Sequence, residues 1–167
     1  MSLVLRPFEP SDEGAALAGN ESMVADSFTF LLDFQRGMSW RAWLAMVERG
    51  SIGIDLPPDR VRAAFLAADV GGQLVGRVSI RFELNEWLAR EGGHIGYGVL
   101  PQFRRQGYAT QILRQAVQRG RSEGIERLLV TCADDNVGSA TVIERCEGIF
   151  ESRVTAQDGT TVRRYWI

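Results

Sequence analysis

Residues 94–113 read HIGYGVLPQFRRQGYATQIL, and this stretch joins an apolar strand to an amphipathic helix. We predict the strand over His94–Leu100 and the helix over Gly107–Arg121, because apolar residues recur in the second segment with helical spacing. A helix with this pattern buries one face, which fixes the position of its amino end. The apolar positions are Ala109, Ile112, Leu113, Ala116 and Val117.

The start of this helix has the properties of a phosphate-binding site. Backbone N–H groups at a helix start have no partner within the helix, and they lie at the positive end of the helix dipole. Gly107 lets a ligand approach the backbone closely, and Arg104 and Arg105 add positive charge. The strings GxxxxGK[ST] and GxGxxG are absent, which excludes the two commonest nucleotide loops. A glycine-containing turn without a ligand is the alternative.

The rest of the chain predicts a mixed sheet with helices packed on it. The predicted order is β-α-α-β-β-β-α-β-α-β-β, with two hairpins closed by Gly71-Gly72 and Asp158-Gly159. Ser11 and Ser39 are placed to cap the first two helices. The other predicted elements are strands Leu3–Arg6, Val61–Val70, Gln73–Leu84, Arg127–Cys132, Ile149–Thr155 and Thr160–Ile167, a helical turn Asn85–Arg90 and a helix Val137–Arg145.

Composition excludes several classes of function. The chain has 167 residues, of which 45% are hydrophobic, so we expect a single domain over residues 1–167. A net charge of −2 and a longest apolar run of six residues, 63–68, predict neither nucleic-acid nor membrane partners. The first ten residues lack a secretion-signal pattern, and a cytoplasmic location is expected. One histidine and two cysteines predict no metal site and no disulfide framework.

Charge is distributed unevenly along the chain. All 19 basic residues are arginine. Residues 92–122 contain five arginines and no acid, whereas residues 1–60 contain nine acids and five arginines. This distribution suits an anion held near the middle of the chain and a cation held near its front.

A pattern of five residues within this basic segment resembles the acetyl-CoA-binding signature of the GNAT (Gcn5-related) N-acetyltransferases. The segment NVGS at 136–139 is similar to the second cofactor element of that family. The segments GGHIGY and RYWI further resemble a bacterial subgroup of predicted acetyltransferases without an assigned substrate. The resemblance implies an α+β fold, with a mixed, mostly antiparallel, twisted sheet flanked by about four helices. The signature residues are Val99, Pro101, Arg104, Gly107 and Ala109.

The resemblance also implies roles for individual residues. The backbone of Val99 and Leu100 would pair with the pantetheine arm of acetyl-CoA. The N–H groups of residues 105–109 would hold the pyrophosphate, and Asn136 would bond the pantetheine or the pyrophosphate. The residues implied in binding are Val99, Leu100, Arg104, Arg105, Gln106, Gly107, Tyr108, Ala109, Thr110, Asn136 and Ser139.

Catalytic residues are less clearly indicated. The position of the glutamate that many GNAT enzymes use as a base is Gly93, and the position of a frequent tyrosine acid is Ile143. His94 is the only histidine, and an ordinary pKa of about 6.5 would suit a base. Glu83 is an alternative base and Tyr97 a candidate acid.

Other candidates have simpler structural explanations. Glu86 is a further possible base and Tyr165 a further possible acid, although Tyr165 is more typical of a core or sheet residue. Asp134-Asp135 follows a predicted strand and precedes an asparagine, which is typical of a turn. Cys132 and Cys146 lack a histidine partner and are expected to be buried thiols.

The sequence therefore predicts an N-acetyltransferase that moves an acetyl group from acetyl-CoA directly to a primary amine in a ternary complex. The acceptor would be a small-molecule amine or a peptide N-terminus, and the protein a monomer or homodimer. We expect the acceptor cleft between the first two helices, the loop at 20–37 and the turn at 85–90. A non-catalytic acyl-CoA-binding module is the alternative, and a partner-binding domain without a cofactor is a third hypothesis.

Overall fold

The computed structural model describes residues 2–167, and its organising element is a seven-stranded sheet. The strands are β1 (Leu3–Pro7), β2 (Ala63–Val70), β3 (Gln73–Arg81), β4 (Ile95–Val99), β5 (Leu129–Ala133), β6 (Ile149–Thr155) and β7 (Thr161–Trp166). The α-helices are α1 (Glu13–Ser22), α2 (Trp40–Ile52), α3 (Tyr108–Ser122) and α4 (Val137–Arg145).

The sheet has the order β1-β2-β3-β4-β5-β7-β6, and every neighbouring pair is antiparallel except β4 and β5. This confirms the predicted α+β fold with a mixed, mostly antiparallel sheet and four α-helices. The parallel pair is joined by α3, because parallel neighbours need a crossover connection. The switch from antiparallel to parallel strand pairing therefore falls at the segment 94–113.

Two apolar clusters form the core. The larger cluster contains Ile112, Leu113 and Ala116 of α3, all fully buried, which confirms the predicted apolar face of that helix. The smaller cluster is aromatic and gathers α1, α2 and the segment between them. In α2, the rings of Trp40 and Trp43 stack with their centroids 4.7 Å apart. Burial of an aromatic side chain of this kind contributes on the order of 2 kcal/mol to stability.

The turn predictions hold where glycine or a cap determines the backbone. Gly71 and Gly72 both have positive φ and connect β2 to β3, and the Ala42 amide donates to Ser39 Oγ at the start of α2. Ser11 is not the cap of α1. Instead, a short 3₁₀ turn precedes the helix, with Asp12 accepting from the Glu9 amide at 2.8 Å.

The start of β4 differs from the predicted start of this strand at His94. His94 lies just before β4 rather than inside it, because the chain from Leu88 to Gly92 forms a π-helical turn and Gly93 reverses it. Among residues 2–167, no helix is long and apolar enough to cross a membrane.

Candidate active site

The start of α3 presents backbone amides to open space. Gly107, the residue before the helix, has φ of +81°, and a Cβ built there would meet nothing within 4 Å. No side chain caps the helix, and within residues 2–167 the amides from Gly107 to Thr110 have no hydrogen-bond acceptor. Arg105 also adopts a left-handed backbone, with φ of +64°. The loop therefore turns its N–H groups outward, as an anion site requires.

A gap between β4 and β5 leads away from this helix start. These two strands share a single pair, Ile95 with Val130, whereas β3 pairs with β4 from Ile95 to Val99. Beyond Ile95, no strand of residues 2–167 lies beside the edge of β4 that faces β5. The Leu100 amide donates to the Val75 carbonyl at 2.9 Å, so by alternation the amide of Val99 points into the gap.

The two signature arginines differ in their surroundings. Arg104 donates from Nη2 to Asp26 at 2.6 Å and from Nε to the Val99 carbonyl at 3.2 Å, so its guanidinium is held against the strand end. Arg105 is exposed, and no carboxylate of residues 2–167 lies within 4 Å of its guanidinium. Gln106 is exposed as well, and Tyr108 packs against the larger apolar cluster.

The start of α4 lies on the same side of the sheet. Asn136 caps this helix, because its Oδ1 accepts from the Ser139 amide at 3.0 Å. Asn136 is exposed and Ser139 is half-buried. The amide nitrogen of Asn136 and the hydroxyl of Ser139 remain available to a ligand in the gap.

Tyr97 projects from β4 beneath α4. Within residues 2–167, its hydroxyl is the only buried side-chain polar atom without a hydrogen-bond partner. Burial is the main cause that raises the pKa of Tyr97 above its ordinary value, while the nearby Ser139 hydroxyl acts against it. The thiol of Cys132, on β5, also lies close by. An unsatisfied hydroxyl in such a place costs about 1–3 kcal/mol, which points to a partner that the protein itself does not supply.

A cleft of about 700 Å³ opens over β2 and β3, on the side of α2. Its walls come from residues 32–38, α2, residues 54–61 and the turn at 85–88. Three of these components match the expected acceptor cleft, but α1 does not line it. Much of the wall is apolar, including Leu32, Met38, Met46, Val47, Ile54 and Leu56.

The carboxylates of this cleft are mostly paired. Asp33 is bonded to Arg60, and Asp55 lies 3.9 Å from Arg49. Asp59 has no salt bridge within the described residues. The cleft is therefore not uniformly acidic, as the charge of residues 1–60 alone would suggest.

The floor of the cleft meets β4. Ser79 and Arg81 of β3 line the floor, and Ser79 pairs with Gly96 of β4. A Cβ added to Gly96 would lie 3.4 Å from Arg81 Nη1, so glycine leaves room for the guanidinium against the strand. The cleft and the β4–β5 gap thus approach the same strand from its two sides.

His94 links β4 to β5. Its Nδ1 accepts from the Leu129 amide at 2.8 Å, and its own amide donates to the Leu129 carbonyl at 2.7 Å. Burial, and then the charge of Arg81, lower the pKa of His94 below 6.5. The ring is therefore neutral, with Nδ1 occupied by the backbone.

Comparison with known proteins identifies this arrangement. Residues 2–148 match the family described as acetyltransferase (GNAT) domain. The chain belongs to the GNAT acetyltransferase family. GNAT enzymes use acetyl-CoA as acyl donor, so this chain is an acetyltransferase acting with acetyl-CoA. Among curated proteins, none matches the sequence.

Solved structures share the GNAT fold at low identity. A ribosomal L7/L12 α-N-protein acetyltransferase, RimL, in complex with coenzyme A is 20% identical with a TM-score of 0.69, covering 100% of this chain and 94% of RimL. A putative acetyltransferase from Salmonella typhimurium with acetyl-CoA is 13% identical with a TM-score of 0.66, covering 100% and 94%. A spermidine N-acetyltransferase chimera from Vibrio cholerae SpeG and hSSAT is 16% identical with a TM-score of 0.68, covering 100% and 95%.

The GNAT positions that usually carry catalytic side chains are closed in this protein. At Gly93, φ is +67°, and an added Cβ would lie 2.7 Å from the Leu129 carbonyl oxygen. A glutamate at this position would therefore collide with β5. Ile143 is fully buried in the larger apolar cluster.

The remaining candidates lie away from the cleft or are already bonded. Glu83 and Glu86 are exposed, and neither lines the cleft. The hydroxyl of buried Tyr165 donates to Glu144 at 3.1 Å. Asp134 stands in a turn, as predicted, and accepts from Arg153 and Arg163.

The thiols also behave largely as predicted. Cys146 is buried and Cys132 half-buried, and both are free. Burial raises the pKa of Cys132 to about 11, so it is a protonated thiol at neutral pH. Among residues 2–167, no group of three or more histidine, cysteine or acidic side chains is arranged to hold a metal.

Two arginines of β3 are candidate functional residues that only the structure reveals. Arg77 and Arg81, with Ser79 between them, occupy alternate positions of a strand whose other residues after Gln73 are apolar, and they therefore share one face. Polar residues at a spacing of two in such a strand are the signal that could have revealed them. Neither guanidinium has a carboxylate within 4 Å in the described part of the chain.

Proposed function

We propose that this protein transfers the acetyl group of acetyl-CoA directly to a primary amine bound in the cleft. The observation that carries the proposal is the row of unpartnered amides at the start of α3, which adjoins a gap between two strands. A helix start suits the pyrophosphate, and the open edge of β4 suits an extended amide-containing arm. We further propose that residues 1–167 act as one domain.

Individual residues would divide the binding of acetyl-CoA as follows. The amides from Gly107 to Thr110 would hold the pyrophosphate, with Arg105 supplying charge. Val99 would pair with the pantetheine arm, while Leu100 and Arg104 fix the end of the strand through the bonds described above. The side chains of Asn136 and Ser139, together with the flanking Gln106 and Tyr108, would complete the contact surface.

Acetyl-CoA supplies an acyl group activated as a thioester, so that transfer forms a carbon–nitrogen bond and breaks a carbon–sulfur bond. The amine loses one proton and the sulfur gains one, so the proton balance closes. We propose that Tyr97 donates a hydrogen bond to the departing sulfur, because its buried hydroxyl is protonated and lacks a partner. That position would replace the tyrosine whose usual place is taken by Ile143.

The ammonium proton would leave through water in the cleft. Glu83 lies outside the cleft, and His94 Nδ1 is bonded to the backbone, so we infer a structural role for His94 and no role for Glu83 in proton transfer. Under this proposal kcat/KM rises with pH through the pKa of the acceptor amine itself. Positioning, rather than a dedicated base, would provide most of the acceleration.

Amine-dependent release of free thiol from acetyl-CoA tests the proposal. A panel of primary amines is compared with acetyl-CoA alone, and an acceptor is expected to accelerate release in a saturable way. In the variant Tyr97→Phe, kcat should fall by about 100-fold while thermal stability is kept or raised, because an unsatisfied hydroxyl is removed.

Each alternative has its own result. Binding of acetyl-CoA without acceleration by any amine would favour the non-catalytic acyl-CoA-binding module. Unchanged kcat in Tyr97→Phe would overturn the role of the tyrosine alone. The choice between a small amine and a peptide N-terminus, the monomer or homodimer, the bacterial source and the cytoplasmic location stay predictions.

A further inference from the structure

The floor of the cleft contains a charged side chain that the proposed acetyl transfer does not explain. Arg81 is half-buried and bonds the protein through one nitrogen only, since Nη1 donates to the carbonyls of Gly92 at 3.2 Å and Gly93 at 3.3 Å. Within residues 2–167, Nε and Nη2 have no acceptor, and no carboxylate lies within 4 Å.

Arg77, two residues earlier on the same face, shows how a buried arginine can be satisfied internally. It donates from Nε to the Phe30 carbonyl at 3.0 Å, from Nη1 to Gly96 and from Nη2 to Thr29. All three of its nitrogens are therefore used. On the same strand, all three nitrogens of the Arg77 guanidinium donate hydrogen bonds, whereas Nε and Nη2 of Arg81 remain available to a ligand.

The surroundings of Arg81 favour an anion. The charged groups that act on it are cations: Arg60, whose own partner is Asp33, and Arg77 on the same strand. Burial of an unpaired cation is unfavourable, and a bound anion would relieve it. The Ser79 hydroxyl, on the same face of β3, makes no hydrogen bond within the described residues and also lines the cleft.

Resting on the proposed function, we propose that the acceptor is an amine that carries a carboxylate and an apolar group, as an apolar amino acid does. Nε and Nη2 of Arg81 present two parallel donors, the geometry that binds a carboxylate at both oxygens. Ser79 would donate a third hydrogen bond. The apolar wall described above would receive the side chain, and the position of Arg81 against Gly96 brings the carboxylate close to β4, where the amine must attack.

Matched pairs of acceptors test this assignment. Phenylalanine and leucine are compared with their carboxamides and with phenethylamine and isopentylamine, by thiol release from acetyl-CoA. The free acids should be preferred in kcat/KM by about 10- to 100-fold, the range expected for hydrogen bonds to a charged group. Equal kcat/KM for acid and amide would overturn the inference while leaving the acetyltransferase function intact.

Variants separate recognition from catalysis. Arg81→Gln and Ser79→Ala should reduce kcat/KM for the acids and leave the amides nearly unchanged, and Arg81→Lys should retain part of the preference. The charge-matched control is Arg41→Gln, at an exposed arginine of α2, and this variant should keep the full preference for the acids. An equal loss for acids and amides in Arg81→Gln would place the arginine in the transfer itself and contradict the proposal.

Two further readouts keep the result unambiguous. A melt with acetyl-CoA is recorded for each variant, so that unfolding or loss of donor binding is recognised separately. If no compound of the panel is acetylated, N-acetylphenylalanine and its amide are compared by melt in the presence of coenzyme A. No larger shift with the acid than with the amide overturns the inference, whatever the fate of the transferase proposal.

Discussion

His94 shows how a single side chain can replace part of a strand pairing. Its Nδ1 and its backbone amide both bond to Leu129, so one residue joins the parallel strands β4 and β5 at their start. The ring must be neutral for Nδ1 to accept. As the only histidine, it attracts a catalytic interpretation from sequence, and only the structure reveals that its Nδ1 is occupied.

This geometry predicts a pH dependence of stability. The pKa of His94 in the folded protein is lowered below 6.5, first by burial and then by Arg81, so the unfolded chain binds the proton more readily. The contribution of His94 is complete above pH 6.5 and is lost as the pH falls toward the lower folded-state pKa. Melts of the wild type and His94→Gln between pH 8 and 5 should therefore converge below about pH 6.5. A stability difference that does not change with pH would contradict this.

At the scale of the element, α3 was predictable because its apolar spacing and its glycine start act locally. The five apolar positions fall on the buried face, and Gly107 precedes the first residue of the helix. The sequence did not allow the exact bounds of the π-helical turn Leu88–Gly92 to be predicted. The turn ends where Gly93 contacts β5, and this contact joins residues far apart in the chain. That same contact explains why no glutamate stands there.

The start of α3 is tested with a variant pair that shares the same backbone strain. Gly107 and Gly124 flank the helix, and their φ angles are similar, at +81° and +89°. A Cβ built at either glycine would have no atom within 4 Å. Gly107→Glu should abolish the stabilisation by acetyl-CoA, about 2.7 kcal/mol at 100 times its Kd, through steric block and negative charge. Gly124→Glu, at the other end, should lose similar intrinsic stability but keep the full shift in the melt.

A shift that survives in Gly107→Glu would place the donor elsewhere. Loss of the shift in both variants would mean that strain alone disturbs binding. Only loss at Gly107 with retention at Gly124 supports the amides at this helix start as the pyrophosphate site.

At the scale of the whole molecule, the order of elements and the mixed sheet followed from the sequence, but the cleft over β2 and β3 followed only in part. The walls of the cleft come from segments far apart in the chain. Helix α1, which the sequence predicts as one of the walls, does not line the cleft. The charge count of residues 1–60 suggested an acidic cleft. In the structure, Asp33 is paired with Arg60, and Arg81 adds a positive charge to the floor of the cleft. The cleft is therefore not acidic throughout, because contacts between distant residues decide which charges stay unpaired.

Arg77 connects these distant segments. It is 3% exposed, bonds the carbonyls of Thr29, Phe30 and Gly96, and lies 4.4 Å over the ring of Phe28. It therefore ties the segment before α2 to β3 and β4, and it holds one wall of the cleft in place.

Arg77→Met should destabilise the fold by more than about 3 kcal/mol, because the carbonyls of Thr29, Phe30 and Gly96 lose a donor that is itself buried. The control is Arg36→Met, at an exposed arginine of residues 1–60, which should change stability by less than about 0.5 kcal/mol. Urea unfolding of both variants provides the measurement. Because none of the Arg77 hydrogen bonds reaches residues 104–110, the folded Arg77→Met protein should still be stabilised by acetyl-CoA while its KM for the acceptor rises. A loss of donor binding with an unchanged acceptor KM would show that the arginine serves the β4–β5 gap instead of the cleft.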